Sequence, residues 1–203
     1  MIFRKPACGV APMEDSISGK KIYLDHGILN GFRGIVHDYF SMKRRTNLFW
    51  TSSIVVNKDV FHKIESFDLR MTTGQDLDVW YRIILNFETV FYNKTLAYRK
   101  IDAENRSVHN LPPLNERLPY FSEKYSEYRK SNPAFRKSFD RLCFNNMYPL
   151  FLRGEYLEEI NYVLSKIDIW EHSRRWWLKY RMPKTYWLLH KITGIGRCGK
   201  PDT

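Results

Sequence analysis

Apolar residues recur with helical spacing between Thr72 and Phe87. On a helical wheel one stripe is formed by the apolar side chains Leu77, Trp80, Ile83, Ile84 and Phe87. The pattern predicts an amphipathic helix. Asp78 and Arg82 fall on the opposite face, four residues apart, which is the spacing of a modest surface ion pair.

Asp76 projects from the apolar side of this predicted helix, at its amino-terminal end. Unpaired backbone N–H groups and the helix dipole favour an ionised carboxylate there, so Asp76 is a candidate base facing a cleft. The segment Thr73-Gly-Gln-Asp76 also has the spacing of a capping box, with Asp in place of the usual Glu or Gln. Both interpretations stay open on the pattern alone.

The segments around this helix alternate between extended and helical patterns. We predict a buried strand at Thr51–Val56, a short helix at Asn57–Ile64 and a loop at Glu65–Met71. Two short strands are predicted after the amphipathic helix, at Thr89–Tyr92 and Leu96–Arg99. The order of these elements predicts an α/β fold.

Five of these elements together resemble the later half of family 2 glycosyltransferases, which have a nucleotide-sugar-binding GT-A fold. That family carries a small-residue strand, a short helix, a G-F-D loop, a G-E-D-x-D-x-W-x-R motif and a final L-A-x-Y-R. The similar segments here are Thr51–Val56, Val60–Ile64, Ser66-Phe-Asp68, Gly74-Gln-Asp-Leu-Asp-Val-Trp-Tyr-Arg82 and Leu96-Ala-Tyr-Arg99. The resemblance covers about residues 45 to 110 and implies part of a GT-A mixed sheet.

The resemblance implies a hexosyltransferase-type enzyme. It would move a sugar, with inversion, from a nucleotide-sugar donor to the hydroxyl of a glycan or lipid-linked acceptor, in cell-surface polysaccharide or lipopolysaccharide biosynthesis. Asp76 matches the catalytic base of the family, and Gln75 stands where the family has Glu. Gln75 and Trp80 are carried over as substrate-binding positions. Arg99 and Arg106 would contact diphosphate or acceptor charge, or else form a solvated basic loop.

The complete enzyme is expected to use a divalent metal, Mg²⁺ or Mn²⁺. His109 is a weak candidate ligand, because some GT-A enzymes place a histidine after the base helix and a lone imidazole is poor evidence for a site. We interpret Glu14-Asp15 as loop acids with no preceding buried strand, and residues 1–50 as loops with one helix around Ile35, Val36, Tyr39 and Phe40. The nucleotide-binding half with its Asp-x-Asp motif is therefore expected to be missing from this chain, which we interpret as a truncated part.

The pattern becomes helical after Pro112-Pro113, so we divide the chain into residues 1–111, the GT-A portion, and residues 112–203, a helical tail. One helix is predicted to begin at Ser131-Asn-Pro and to be kinked near its end by Pro149, and Gly154 separates it from the next. The aromatic stripe of these helices indicates a core.

The end of the tail interleaves Trp170, Trp176, Trp177, Tyr180, Tyr186 and Trp187 with arginine and lysine. The net charge of +11 favours acidic partners. This composition predicts contact with an anionic membrane surface, or a basic helix that packs its tryptophans on the domain.

The sequence also limits the cellular location and the alternative functions of the protein. No apolar run approaches the roughly 20 residues that span a bilayer, and the three cysteines are widely spaced, so we expect a cytoplasmic protein, peripheral at the inner membrane face. A nucleic-acid-binding module explains the tail but not the acidic helix start, and no RNA-binding signature is present. A noncatalytic interaction protein derived from a transferase is the other alternative. The oligomeric state is not determined by the sequence.

We expect the 203-residue chain alone to bind a nucleotide-sugar donor weakly or not at all, because the diphosphate-binding half is expected to be missing. Titration calorimetry with nucleotide sugars and Mg²⁺ or Mn²⁺ measures this. Tight, metal-dependent binding would contradict the expectation.

Overall fold

A computed structural model of the chain describes residues 8–17, 20–22, 28–41, 50–71, 73–104 and 118–186. The chain divides into two compact units, Met1–Arg117 and Leu118–Thr203. The described part of the first unit mixes strands and helices, and that of the second is helical. The predicted α/β class is confirmed at this level. The predicted boundary at Pro112-Pro113 lies outside the described residues.

Short strands form two sheets in the first unit. In chain order they are β1 (Cys8–Val10), β2 (Met13–Ile17), β3 (Lys20–Ile22), β4 (Arg33–Val36), β5 (Ile54–Val56), β6 (Thr89–Tyr92) and β7 (Ala97–Lys100). The four-stranded sheet has the order β4-β6-β1-β5, and β1 runs parallel to β6 and antiparallel to β5. The three-stranded sheet has the order β3-β2-β7, with β2 parallel to β7.

The prediction of loops with one helix for residues 1–50 is wrong. The described residues of this segment contain β1 to β4, and Ile35 and Val36 belong to β4. These strands have three to five residues, too few for alternation to be visible, and three of them pair with strands far along the chain. Tyr39 and Phe40 form a turn after β4, and both are buried in the core.

The segment predicted as a buried strand at Thr51–Val56 is only partly a strand. Thr51–Ser53 forms one 3-10 turn, and only Ile54–Val56 is extended, at the edge of the four-stranded sheet. Val55 is 77% exposed while Ile54 and Val56 are half-buried, because successive side chains of a strand point to opposite faces of the sheet. The predicted short helix is confirmed as α1 (Lys58–Lys63), whose first turn is capped by the Asn57 side chain.

The helix that carries the candidate base is α2 (Gln75–Asn86), as the apolar spacing predicts. Its buried surface is wider than the predicted stripe. The fully or nearly buried residues are Asp78, Val79, Trp80, Tyr81 and Ile83, and Tyr81 contacts Phe40 edge to face, with 5.9 Å between ring centroids. The helix is therefore covered on two faces instead of one.

The second unit contains six helices in its described part. They are α3 (Leu118–Lys124), α4 (Ser126–Ser131), α5 (Pro133–Arg153), α6 (Leu157–Ser165), α7 (Ile169–His172) and α8 (Arg174–Arg181). The Asn132 side chain caps α5, which continues past Pro149 and ends at Gly154, a residue with φ 72°. Among the described residues, no helix combines the length and apolarity needed to cross a membrane.

An aromatic cluster forms the core of this unit and encloses one ion pair. The cluster consists of Phe121, Tyr125, Phe135 and Phe139, each at most 1% exposed. Arg129 and Asp140 lie 2.9 Å apart and are 8% and 4% exposed. Arg129 also donates a hydrogen bond of 3.1 Å to the Lys166 carbonyl, so the pair ties α4, α5 and the end of α6 together.

We expect Asp140→Ala to lower the free energy of unfolding by about 3–5 kcal/mol, because it leaves the buried Arg129 without a counter-charge. Urea unfolding followed by circular dichroism measures the change. Glu127→Ala is the control, since Glu127 pairs with Lys130 at the surface and its loss costs about 1 kcal/mol at most. Equal losses in the two variants would contradict the expectation.

Candidate functional site

The amino-terminal end of α2 is formed by a glycine. Gly74 occupies the N-cap position with φ 75°, a left-handed conformation that favours glycine, and no side chain caps the helix there. The capping box suggested by Thr73-Gly-Gln-Asp76 is therefore not formed. Asp76 is the second residue of the helix, and its carboxylate bonds to the Leu77 backbone N–H in the first turn.

The Asp76 carboxylate is exposed and held in place on both oxygens. Its Oδ2 accepts a hydrogen bond of 2.8 Å from the Thr51 hydroxyl, 25 positions earlier in the chain. Its Oδ1 accepts a bond of 2.8 Å from the Leu77 backbone N–H. Thr51 thus fixes the carboxylate beside the 3-10 turn, while each oxygen keeps a further lone pair for another donor.

The predicted location of the Asp78–Arg82 pair is wrong. The pair forms with the predicted spacing, Arg82 Nη2 lying 2.6 Å from Asp78 Oδ2, but the Asp78 side chain is completely buried instead of lying at the surface. The reason is tertiary. Arg82 also donates to the Ile64 carbonyl and, at 2.5 Å, to the Ser66 carbonyl, so the loop after α1 covers this face of α2.

That loop is anchored to α2 at both ends. At its start, Glu65 and Ser66 have φ values of 61° and 55°, in the left-handed region that non-glycine residues rarely adopt. At its end, Gln75 Nε2 donates a bond of 2.8 Å to the Met71 carbonyl. The amide at position 75 therefore holds the backbone of the loop in place, a use that the resemblance does not indicate.

A chain of contacts leads from Asp76 to Arg99. Thr51 follows Trp50, and the Arg99 guanidinium lies 4.5 Å from the centre of the Trp50 ring. The 3-10 turn Thr51–Ser53, which follows Trp50, is joined to the chain just after β1 by a hydrogen bond of 3.0 Å from the Ala11 N–H to the Ser53 carbonyl. The structure thus links the predicted residues Asp76 and Arg99 through Thr51 and Trp50. Sequence reasoning missed both linking residues, because neither lies in a periodic pattern that points to the site.

The remaining predicted site residues are Trp80, Arg106 and His109. Trp80 is 5% exposed and belongs to the core under α2, where its indole N–H has no hydrogen-bond partner in the described part of the chain. Arg106 and His109 lie outside the described residues. The structure thus joins Asp76 to Arg99 by contacts and does not present the Trp80 ring at the surface.

The interpretation of Glu14-Asp15 as loop acids is wrong. Both residues lie in β2, which follows the buried strand β1. Glu14 is 5% exposed; its Oε1 accepts a bond of 2.7 Å from the Thr95 hydroxyl, and its Oε2 has no partner among the described residues. The preceding strand has only three residues, so its alternation is not visible in the sequence.

Within the described ranges, no group of three or more His, Cys, Asp or Glu side chains is arranged to hold a metal ion. No family model, curated protein or solved structure matches the chain. The interpretation of the site therefore rests on its own residues and geometry.

We expect Arg82→Gln to lower the free energy of unfolding by about 3–5 kcal/mol, because Asp78 stays buried without its counter-charge. The amide protons of residues 65–71 should also exchange faster, since two loop carbonyls lose their donor. Hydrogen exchange and urea unfolding measure the two effects. Lys58→Gln, which removes an exposed cation at the start of α1, is the control, and unchanged loop exchange in Arg82→Gln would refute the anchoring role.

Proposed function

We propose that the chain provides the acceptor side of a nucleotide-sugar-dependent glycosyltransferase, with Asp76 as general base. The observation that carries the proposal is the exposed Asp76 carboxylate at the start of α2, bonded to the Thr51 hydroxyl. A GT-A fold of the family 2 kind, of which this unit would form a part, is included in the proposal. The mixed sheet and the two helices that follow β5 are compatible with it.

The proposed reaction transfers a sugar to an acceptor hydroxyl. As the hydroxyl oxygen attacks the anomeric carbon, its proton passes to an Asp76 oxygen and the new glycosidic bond forms. The bond from the anomeric carbon to the diphosphate breaks on the opposite face, so the configuration inverts and a nucleoside diphosphate leaves with the electron pair. A positioned carboxylate contributes roughly a hundredfold to ten-thousandfold to such a step.

Positioning is the main support for assigning the base to Asp76 and not to Asp78. General-base catalysis requires a carboxylate within hydrogen-bond distance of an incoming hydroxyl. Asp76 is exposed and held by a tertiary hydrogen bond, whereas the Asp78 side chain is completely buried and bonded to Arg82. Only the first of the two can meet an acceptor from outside without unfolding the helix.

The role proposed for Arg99 is to neutralise substrate charge near the base. Its guanidinium lies above the Trp50 ring, which limits its motion, and Trp50 precedes the residue that holds Asp76. Gln75 and Trp80 would act indirectly, by holding the loop backbone and by packing under α2.

A divalent metal would neutralise the diphosphate in the complete enzyme. The described residues do not fit such an ion, since they contain no group of three suitable ligands. No step of the proposed reaction passes through a metal. His109, which lies outside the described residues, stays a predicted metal ligand.

We expect Asp76→Asn to reduce sugar transfer about a hundredfold or more, because an amide cannot accept the proton of the acceptor hydroxyl. The measurement is release of nucleoside diphosphate by the full gene product, with a panel of nucleotide sugars and of glycan and lipid-linked acceptors. Donor affinity should be unchanged in this variant.

The matched control is Asp59→Asn, which neutralises an exposed aspartate in the first turn of α1. Its turnover should equal that of the unmodified protein. Equal turnover in Asp76→Asn would refute the assignment of the base. Absence of turnover with every donor and acceptor would favour the noncatalytic alternative.

A further inference from the structure

Trp170, Trp176 and Trp177, the described tryptophans of the second unit, lie in two different surroundings. Trp176 stacks on Phe144, with 5.2 Å between ring centroids and planes 27° apart. It also stacks on Tyr180, which is 6% exposed and donates a hydrogen bond of 3.0 Å to the Phe144 carbonyl. Trp176 and Tyr180 therefore belong to the core that joins α8 to α5.

Trp170 and Trp177 form a separate pair, in which Trp170 is exposed and Trp177 is half-buried. Their rings meet edge to face, with centroids 5.3 Å apart, and Trp170 is 54% exposed. The Arg174 guanidinium lies 5.5 Å from the Trp170 ring centre. A surface cavity of about 460 Å³ is bordered by both rings and by Arg181. We call Trp170, Trp177, Arg174 and Arg181 the tryptophan face.

Positive charge dominates this face. The helix α8 has the sequence RRWWLKYR, with four basic residues and no acidic one. Two carboxylates lie just before α8 in the chain: Asp168, which also lines the cavity, accepts a 2.8 Å bond from the Glu171 backbone N–H, and Glu171 lies 2.8 Å from Arg136. Lys166, which lines the same cavity, adds a further cation.

We propose that the tryptophan face binds the surface of an anionic lipid bilayer. Indole rings are favoured at the level of lipid headgroups, and arginine side chains are attracted by the negative potential of anionic lipids. Trp170 projects at the surface beside two arginines, and Met182, 43% exposed, directly follows α8. In this arrangement the tryptophan rings and the Met182 thioether can insert shallowly between the lipid headgroups. The phosphates of those headgroups would then face the arginine guanidinium groups.

The arrangement fits a bilayer better than a nucleic acid. Single-stranded nucleic acids bind aromatic residues through open ring faces, on which bases stack. Here the Arg174 guanidinium lies over the Trp170 ring. In addition, the edge of one ring of the Trp170–Trp177 pair packs against the face of the other, so that face is not open for a base to stack on. Insertion into headgroups needs only exposed ring edges. The proposal is independent of the proposed function, and either can fail without the other.

The test is co-sedimentation of the full chain with vesicles of phosphatidylserine and phosphatidylcholine, compared with phosphatidylcholine alone. We expect binding to the anionic vesicles only, weakened about tenfold or more by the double variant Arg174→Gln/Arg181→Gln, since each cation near the surface contributes about fivefold. Trp170→Ala/Trp177→Ala should weaken binding roughly tenfold through lost apolar contact. Circular dichroism checks that each variant keeps its helices.

The charge-matched control is Lys130→Gln/Lys137→Gln, which removes two exposed cations elsewhere in the same unit. It should keep more than half of the binding. Equal loss in this control and in the arginine variant would overturn the proposal, since any reduction of charge would then suffice. Failure of the full chain to bind anionic vesicles, with binding to a single-stranded oligonucleotide that the arginine substitutions remove, would also overturn it.

Discussion

The buried contact between Asp78 and Arg82 organises the first unit around α2. Two charges removed from water are costly unless each finds partners, and here Arg82 divides its donors between one carboxylate and two loop carbonyls. The same guanidinium therefore holds the start of the loop against α2, including Glu65 and Ser66 in their left-handed conformation. Because Asp76 lies one half-turn from Asp78 on the same helix, its direction depends on this anchor.

Two aspartates separated by one residue are given opposite environments. Positions i and i+2 lie on nearly opposite sides of a helix, so one faces the loop and the core while the other faces solvent and Thr51. Identical side chains therefore differ in what they can do. The buried one maintains structure, and the exposed one keeps lone pairs for a proton from outside. The proposed chemistry depends on that difference more than on the presence of two acids.

Prediction succeeded where a local signal is strong and failed where partners are remote. The spacing of apolar residues predicts α2, the Ser131-Asn-Pro segment predicts the start of α5, and the short helix predicted at Asn57–Ile64 is α1. The strands before Val36 were missed, because each is short and pairs with residues tens of positions away. At the candidate site, Asp76 and Arg99 were visible in the motif. Thr51 and Trp50, which link them, were not.

The sequence by itself determined α1, α2 and α5 and the acidic start of α2, because apolar spacing, a proline at a helix start and a glycine at a helix end act within a few residues of chain. It also separated Asp76 from Asp78 on the helical wheel. Only the tertiary structure decided which of the two is buried, and it reversed the prediction: Arg82 reaches loop carbonyls 16 and 18 positions away and draws the supposed surface face inward. Likewise, only folding brings the Thr51 hydroxyl to Asp76, since a hydrogen bond between distant residues leaves no local pattern in the sequence.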